Sequence, residues 1–501
     1  MPPQNPTIFG LGVRGRSAAV TAQERVNCYL DVQEAVDPIT GGDRSRVTLY
    51  GLPGVEQFAN LGDTPIRGLA SLGSHLYAAH RDALYQIRND GVSASLGTLD
   101  TAEGRVYFAN NNDYLALVDG TSGYSYATGA GTFAKITDAD FPAAPSSIAF
   151  ANGYFVVSRG GSEEFHISAL DDPTSWPGAF DFAYADPDEL VSVFWHQGVL
   201  VLAGQTSVEM WGYTGAGDFP FQRVLASQFG WGLAARASLA ASESYGFGLM
   251  RRREGGLGVC RLTGGEPELV SPPDLVALLD AYDRAGRVDD AVGASFSIAG
   301  HPMYQLTFPA VGATWLYDAM THAWYKRKTY GLEHYMGVTG VLHQGALYWG
   351  DYASGVIWKQ SLPALLDDNS LDWSGVVWTD GTDAAGNERP VVLEAVSEHV
   401  HFPGSRRGII DALELGMETG LGTQTGQGSA PQIALQLSSD RGHSWGAQKL
   451  ASVGLAGEYA ARVRWRRLGQ HRDVTFKLTI SDPALNRVIT DESVQVRAAR
   501  S

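Results

Sequence analysis

The chain has 501 residues, of which 10% are aromatic and 18% charged, with 60 glycines and a formal net charge of −17. That length exceeds what one hydrophobic core normally serves, so either a large closed repeat or more than one domain is expected. Aromatic and glycine richness without long Lys/Glu-rich stretches points to short strands and many turns, and the acidity excludes a general nucleic-acid binder, whose phosphate affinity needs clustered Lys and Arg.

Residues 1–44 show no clear periodicity and are expected to form an arm that orders against a neighbour. The segment Met1-Pro2-Pro3-Gln4-Asn5-Pro6 has neither the basic flank nor the apolar core of a signal peptide, and no stretch approaches the roughly 20 apolar residues of a membrane span. The two cysteines, Cys28 and Cys260, are too few for a disulfide framework and wrongly spaced for zinc, so a reducing compartment, the cytoplasm, is the expected place of synthesis.

A repeat begins at Arg46-Val47-Thr48-Leu49-Tyr50, an isolated strand. Turn residues then separate pairs of strand-like runs at Gly73, Asn112, Gly153, Gly198, Gly246, Gly300 and Gly345, at intervals of 39, 41, 45, 48, 54 and 45 residues. Periods of roughly 40–50 residues with four strands per unit are those of a β-propeller. Asn152-Gly153 between Ser147–Phe150 and Tyr154–Val157 is a two-residue hairpin signal. The unit around Gln344-Gly345 is one strand short, and Arg46–Tyr50 is the expected closing strand. Seven blades are preferred and six allowed. Asp274 to Arg284, with Leu275, Leu278, Leu279 and Tyr282 on one face, reads as a helix inserted between blades.

From Leu371 the spacing breaks, and strands with Gly-rich loops continue to the end as a second, β-sandwich-like domain. The chain therefore divides into an arm (1–44), a propeller (45–362) and a C-terminal β domain (363–501), all-β overall. The longest loop, Thr419 to Pro431, is rich in Gly, Gln, Thr and Ser and is expected to be mobile.

Ser438-x-Asp440-x-Gly442-x-Ser444-Trp445 matches the Asp-box, a hairpin in which hydroxyls and carboxylate bind turn amides above a packed Trp. Its role is structural. It also raises a sialidase-like reading, yet glycoside hydrolysis needs a spaced pair of carboxylates, or a Tyr with an acid and an Arg cluster, and no local sequence singles these out. His399-x-His401 beside Glu398 offers two metal ligands but no third, so no metal is expected. No phosphate loop, nucleophile elbow or Cys/His constellation occurs, so no catalytic residue and no cofactor is assigned. Three basic clusters stand out: Arg251-Arg252-Arg253, Lys326-Arg327-Lys328, and Arg462, Arg464, Arg466 and Arg467 around Trp465. Alternation puts Arg462, Arg464 and Arg466 on one strand face, as solvated or subunit-pairing groups or, less simply, a channel lining for DNA.

Seven segments in order carry a resemblance: Glu24–Tyr29, Arg46–Gly54, Gly215–Phe221, His301–Pro309, Leu413–Gly420, Arg464–Gly469 and Ile480-Ser481-Asp482-Pro483. Together they resemble the packaged-DNA stabilisation proteins, the tail nozzle or hub subunits of podovirus-type phages. The resemblance implies a non-enzymatic ring of six copies in the virion tail, assembled in the host cytoplasm below the portal and adaptor proteins. It also implies closure of the DNA exit channel after packaging, its opening on infection, and attachment of tail fibres or tailspikes; the net charge of −17 adds the expectation that viral DNA passes without tight binding. A carbohydrate-binding propeller or sialidase-like glycosidase is the alternative.

Overall fold

The computed structural model describes residues 9, 23–36, 43–183, 188–215, 217, 219–241, 245–365, 371–373, 375–383, 386–402, 407–426, 428–483 and 485–498. Seven antiparallel sheets follow one another at 66–98, 107–135, 145–182, 190–229, 231–269, 292–326 and 337–360, here blades 1 to 7. Within each blade the strands lie in sequence order. The first strands of neighbouring blades touch from blade 6 through blades 7, 1, 2 and 3 to blade 4, so they form the inner wall there.

The hairpins explain the repeat. Asn152 and Gly153 have φ of 47° and 92°, Gln197 and Gly198 49° and 80°, and Gln344 and Gly345 47° and 76°. Two consecutive positive φ angles make the turn whose twist matches that of the flanking strands. Six of the seven turn positions join the first two strands of a blade; Gly246 is instead the first residue of the strand Gly246–Arg252.

The ring is not closed by the strand expected from sequence. Val55–Asn60 completes blade 7, pairing antiparallel with Val356–Gln360. Arg46–Tyr50 lies within the longer strand Asp43–Gly51, which pairs with Cys28–Val36 and Val488–Ala498 in the other domain. Both segments have strand character, and Leu52-Pro53-Gly54 between them turns the chain from one domain into the other. Residues 23–36 also depart from the expected arm, because they are strands paired within their own chain.

The second domain is a sandwich built from both ends of the chain. One sheet runs Cys28–Val36, Asp43–Gly51, Val488–Ala498, Gly408–Met417, Val463–His471. The other contains Leu393–Val396, Asp473–Ile480, Gln432–Ser438 and Lys449–Ser452, and through Glu24–Val26 it is continuous with blade 6, ten strands in all. Alternation buries Ile410, Leu413, Leu415, Leu435, Val463, Trp465, Phe476 and Leu478 between the sheets. That cluster extends without a break to Met303, Leu316, Tyr335 and Trp349 of the propeller.

The helix Pro273–Arg284 lies between blades 5 and 6, as its apolar face predicts. Leu275 and Leu279 are buried, and Tyr282 meets Phe308 edge-on at 5.4 Å.

Candidate functional site

A group of buried polar and charged residues lies where propeller meets sandwich. Asn27, at φ 56°, marks the corner between the strands Glu24–Val26 and Cys28–Val36. Its N–H donates to the Lys326 carbonyl at 2.9 Å, and its Nδ2 donates to the Lys328 and Val392 carbonyls, each at 2.9 Å. Its Oδ1 accepts from the Lys328 N–H, also at 2.9 Å. One asparagine thus ties three segments together. Gly54 is required nearby, because a Cβ there would lie 2.1 Å from the Thr379 carbonyl oxygen.

His301 of blade 6 is 3% exposed, with Nδ1 2.8 Å from Asp318 Oδ2 and Nε2 3.6 Å from Asp31 Oδ1 on the sandwich strand. Burial pulls its pKa down, but the hydrogen bond and charge of Asp318 and the charge of Asp31 outweigh that and raise it. Further along the junction, the Arg327 guanidinium lies 3.6 Å from the Tyr335 ring centroid and donates to Gln305 Oε1 at 2.9 Å. Arg487, fully buried, covers Trp378 at 4.8 Å and donates to the Val391 carbonyl. Asp380 is held between these cations. Its burial pushes it up to about 6, against the pull of Arg327, a hydrogen bond from Thr329, Arg487 and Arg389.

Arg462, Arg464 and Arg466 do share one face, outside the buried Val463 and Trp465. Glu414 on the adjacent strand lies 3.6 Å from Arg462 Nη1 and 3.5 Å from Arg464 Nε, and Arg464 Nη2 donates to Gln495 Oε1 at 2.6 Å. Arg466 is exposed. Arg467 sits at a β-bulge with φ 58°, also exposed, which returns Leu468 to the core. In the other basic clusters Arg251 pairs with Asp283 at 2.5 Å, Lys326 with Glu24 at 2.5 Å and Lys328 with Glu333 at 2.6 Å. Arg327 is buried as described.

The Asp-box residues adopt a hydrogen-bonded turn. Ser438 Oγ accepts from Gly442 N–H at 2.8 Å and donates to Asp440 Oδ1 at 2.6 Å. Asp440 Oδ1 accepts from Ser444 N–H at 2.9 Å and Oδ2 from the Ser444 hydroxyl at 2.5 Å. Hydrogen bonds from Ser438 and Ser444 hold the Asp440 carboxyl well below the usual range. Trp445 is half-buried, with Lys477 Nζ 6.0 Å from its ring. The hairpin lies at the sheet's edge.

His399 and His401 both face Asp473, at 3.7 and 3.6 Å from its Oδ1, and Thr475 Oγ1 is 2.9 Å from His399 Nδ1. Arg441 Nε donates to Asp473 Oδ2 at 3.0 Å. No metal-holding group of three ligands occurs among the described residues. The Thr419–Pro431 loop, expected to be mobile, is anchored to the segment 453–459. Thr419 Oγ1 donates to the Tyr459 carbonyl at 2.9 Å, Gly457 N–H to Gly420 at 2.9 Å and Val453 N–H to Pro431 at 3.0 Å. Its composition left these partners, distant in sequence, invisible.

A cavity of about 800 Å³ opens at the mouth of the propeller channel, lined from blades 2 to 6. Arg105, Tyr107 and Arg236 lie in it, separated in sequence and without any local motif. Only closure of the ring brings them together.

Two family models match the chain in order: bacteriophage P22 Gp10, beta-propeller, over residues 34–360, and bacteriophage P22 Gp10, beta-sandwich, over 396–497. No curated protein matches at a significant level. Among solved structures, the WD40 domain of Neurospora crassa Pan2 is similar at 8% identity and a TM-score of 0.41, over 62% of this chain and 96% of that one. The computationally designed Ika8 protein is similar at 10% identity and a TM-score of 0.39, over 61% of this chain and 100% of that one. These distant likenesses carry no weight for function. With both of its domains matched in the same order, the chain belongs to the bacteriophage P22 Gp10 family and is a structural protein of a podovirus-type phage tail.

Proposed function

We propose that this protein forms a homohexameric nozzle ring in the tail, below the portal and adaptor, that seals packaged DNA and conducts it during ejection. The ordered match of propeller and sandwich to the Gp10 family carries this reading. The protein has no catalytic role in it. Its partners are further copies of itself, the adaptor or head-to-tail connector proteins, and tail fibres or tailspikes. It is assembled in the host cytoplasm.

The charge pattern supports passage without adhesion. Every phosphate neutralised by Lys or Arg adds counterion-release affinity that would retard ejection. A chain of net charge −17 repeated around a ring repels a polyanion, and Arg462 and Arg464 already face Glu414. The test combines sedimentation of the purified chain with its adaptor and duplex-DNA binding at physiological salt. A closed ring with DNA affinity weaker than about 1 μM is expected. Tighter DNA binding that Arg464→Ala and Arg466→Ala abolish, or a chain that stays monomeric with its adaptor, would overturn the proposal.

A further inference from the structure

The channel cavity has a floor of unusual composition. Arg105, in the segment leading into the inner strand of blade 2, reaches past blade 1 to donate from Nη1 to Thr339 Oγ1 on the inner strand of blade 7. Arg236, from blade 5, donates from Nε to the Val191 carbonyl of blade 4 at 2.7 Å. Tyr107 lines the same cavity as Arg236, and the charges of Arg236 and Arg105 oppose the rise in its pKa that burial imposes. Two arginines and a phenol, from the start of blade 2 and from blade 5, thus line one cavity.

Neither guanidinium has a carboxylate of the described residues within ion-pair distance, although the chain has 54 acidic residues and 37 basic ones. The remaining lining charges are largely occupied. Asp119 accepts from Thr121 and Ser122 N–H at 2.9 and 2.8 Å and from the Thr101 hydroxyl at 3.0 Å. Glu189 accepts from Gly161 N–H at 3.0 Å and Gln205 Nε2 at 2.8 Å, while Arg251 pairs with Asp283. Asp290 takes the Ala310 N–H at 2.7 Å, lines the cavity with Asp289, and acts on Arg105 through its charge without reaching ion-pair distance. A half-buried arginine normally finds an anion, because its planar fork leaves several donors unsatisfied otherwise.

We propose that Arg105, Tyr107 and Arg236 form an oxyanion-binding site in the propeller channel, which takes a carboxylate or phosphate borne on a small polar molecule. The cavity, at about 800 Å³, lies within the range of small-molecule sites. The lining carboxylates Asp289 and Asp290 favour a ligand that carries hydroxyl or amine donors beside its anionic group. The site stands apart from the nozzle reading, and neither depends on the other.

Calorimetric titration of the full-length protein with glucuronate, inorganic phosphate and, as the uncharged control, glucose tests this. Binding of glucuronate or phosphate in the millimolar range or tighter is expected, with no heat from glucose. Arg105→Met and Arg236→Met should each weaken binding at least about tenfold, and Tyr107→Phe less. Arg236→Lys, which keeps the charge without the fork, serves where the methionine variants fail to fold, and should lose affinity too. Preference for glucuronate over phosphate would identify an acidic sugar as the ligand class; the reverse, a phosphorylated one. No binding of either anion, or binding that survives the channel variants but falls in Arg466→Ala on the sandwich surface, overturns the site.

Discussion

His301 lies where the two domains meet, between Asp318 of its own blade and Asp31 of the sandwich, which raise its pKa. The imidazolium contacts Asp318 of its own blade and Asp31 of the sandwich strand, and the Asp318 carboxylate is fixed by Met320 N–H and the Thr321 hydroxyl, each at 2.8 Å. Because the folded pKa lies above the ordinary 6.5, the stabilisation is complete below 6.5 and is lost as pH rises through the elevated value. The difference in urea midpoint between wild type and His301→Gln should therefore be larger at about pH 6 than at about pH 9. A difference that grows with pH would show that the histidine is buried neutral. Trp445 makes the opposite case, where burial is partial. Its truncation to Ala should destabilise the sandwich by only about 1 kcal/mol, against about 3–5 kcal/mol for a fully buried ring. A loss above about 3 kcal/mol in a denaturant melt would place the ring in the core.

Among the elements, the strand Val55–Asn60 decides whether the propeller is a closed ring. It lies between the last strand of blade 7 and the short strand Thr379–Thr382, so it holds the first and last parts of the propeller together. Ala59 pairs with Ile357 and is buried. Proline there removes a ladder donor and distorts the closing contact, so Ala59→Pro should cost about 2–3 kcal/mol and open a strand edge. Light scattering should then show self-association that wild type lacks at the same concentration. A monodisperse variant with an unchanged melt would mean that another contact closes the ring. The strand Asp43–Gly51 would not reproduce this effect, since its partners lie in the sandwich.

Across the whole molecule, propeller and sandwich share a sheet and a core. Blade 6 continues through Glu24–Val26 into the sandwich, and the buried cluster runs from Met303 and Trp349 to Ile433 and Phe476. Units joined by so much buried apolar surface unfold cooperatively. Calorimetry should therefore give one transition, and two well-separated transitions would show that the junction does not couple them. Four of the segments that carry the resemblance to the tail family meet here: Glu24–Tyr29, Arg46–Gly54, His301–Pro309 and Ile480–Pro483. They supply Asn27, the Gly54 turn, His301, and the Asp482 carbonyl that accepts from Arg487 Nη2 at 3.3 Å.

The sequence alone determined what depends on neighbours in the chain. Hairpin turns such as Asn152-Gly153 need local φ angles, the helix Pro273–Arg284 needs a local apolar period, and the Ser438–Ser444 turn needs hydroxyls and a carboxylate a few residues apart. Strand alternation likewise placed Arg462, Arg464 and Arg466 on one face. The tertiary structure decided what depends on pairing between distant segments. Two adjacent strands, Asp43–Gly51 and Val55–Asn60, look alike in sequence, and only their partners, near residue 490 and near residue 358, assign one to the sandwich and the other to the ring. The same holds for the charges. Asp31 meets His301, Asp380 lies between Arg327 and Arg487, and Arg105 and Arg236 line one cavity, because the chain returns to the same place after tens to hundreds of residues and no local pattern encodes that return.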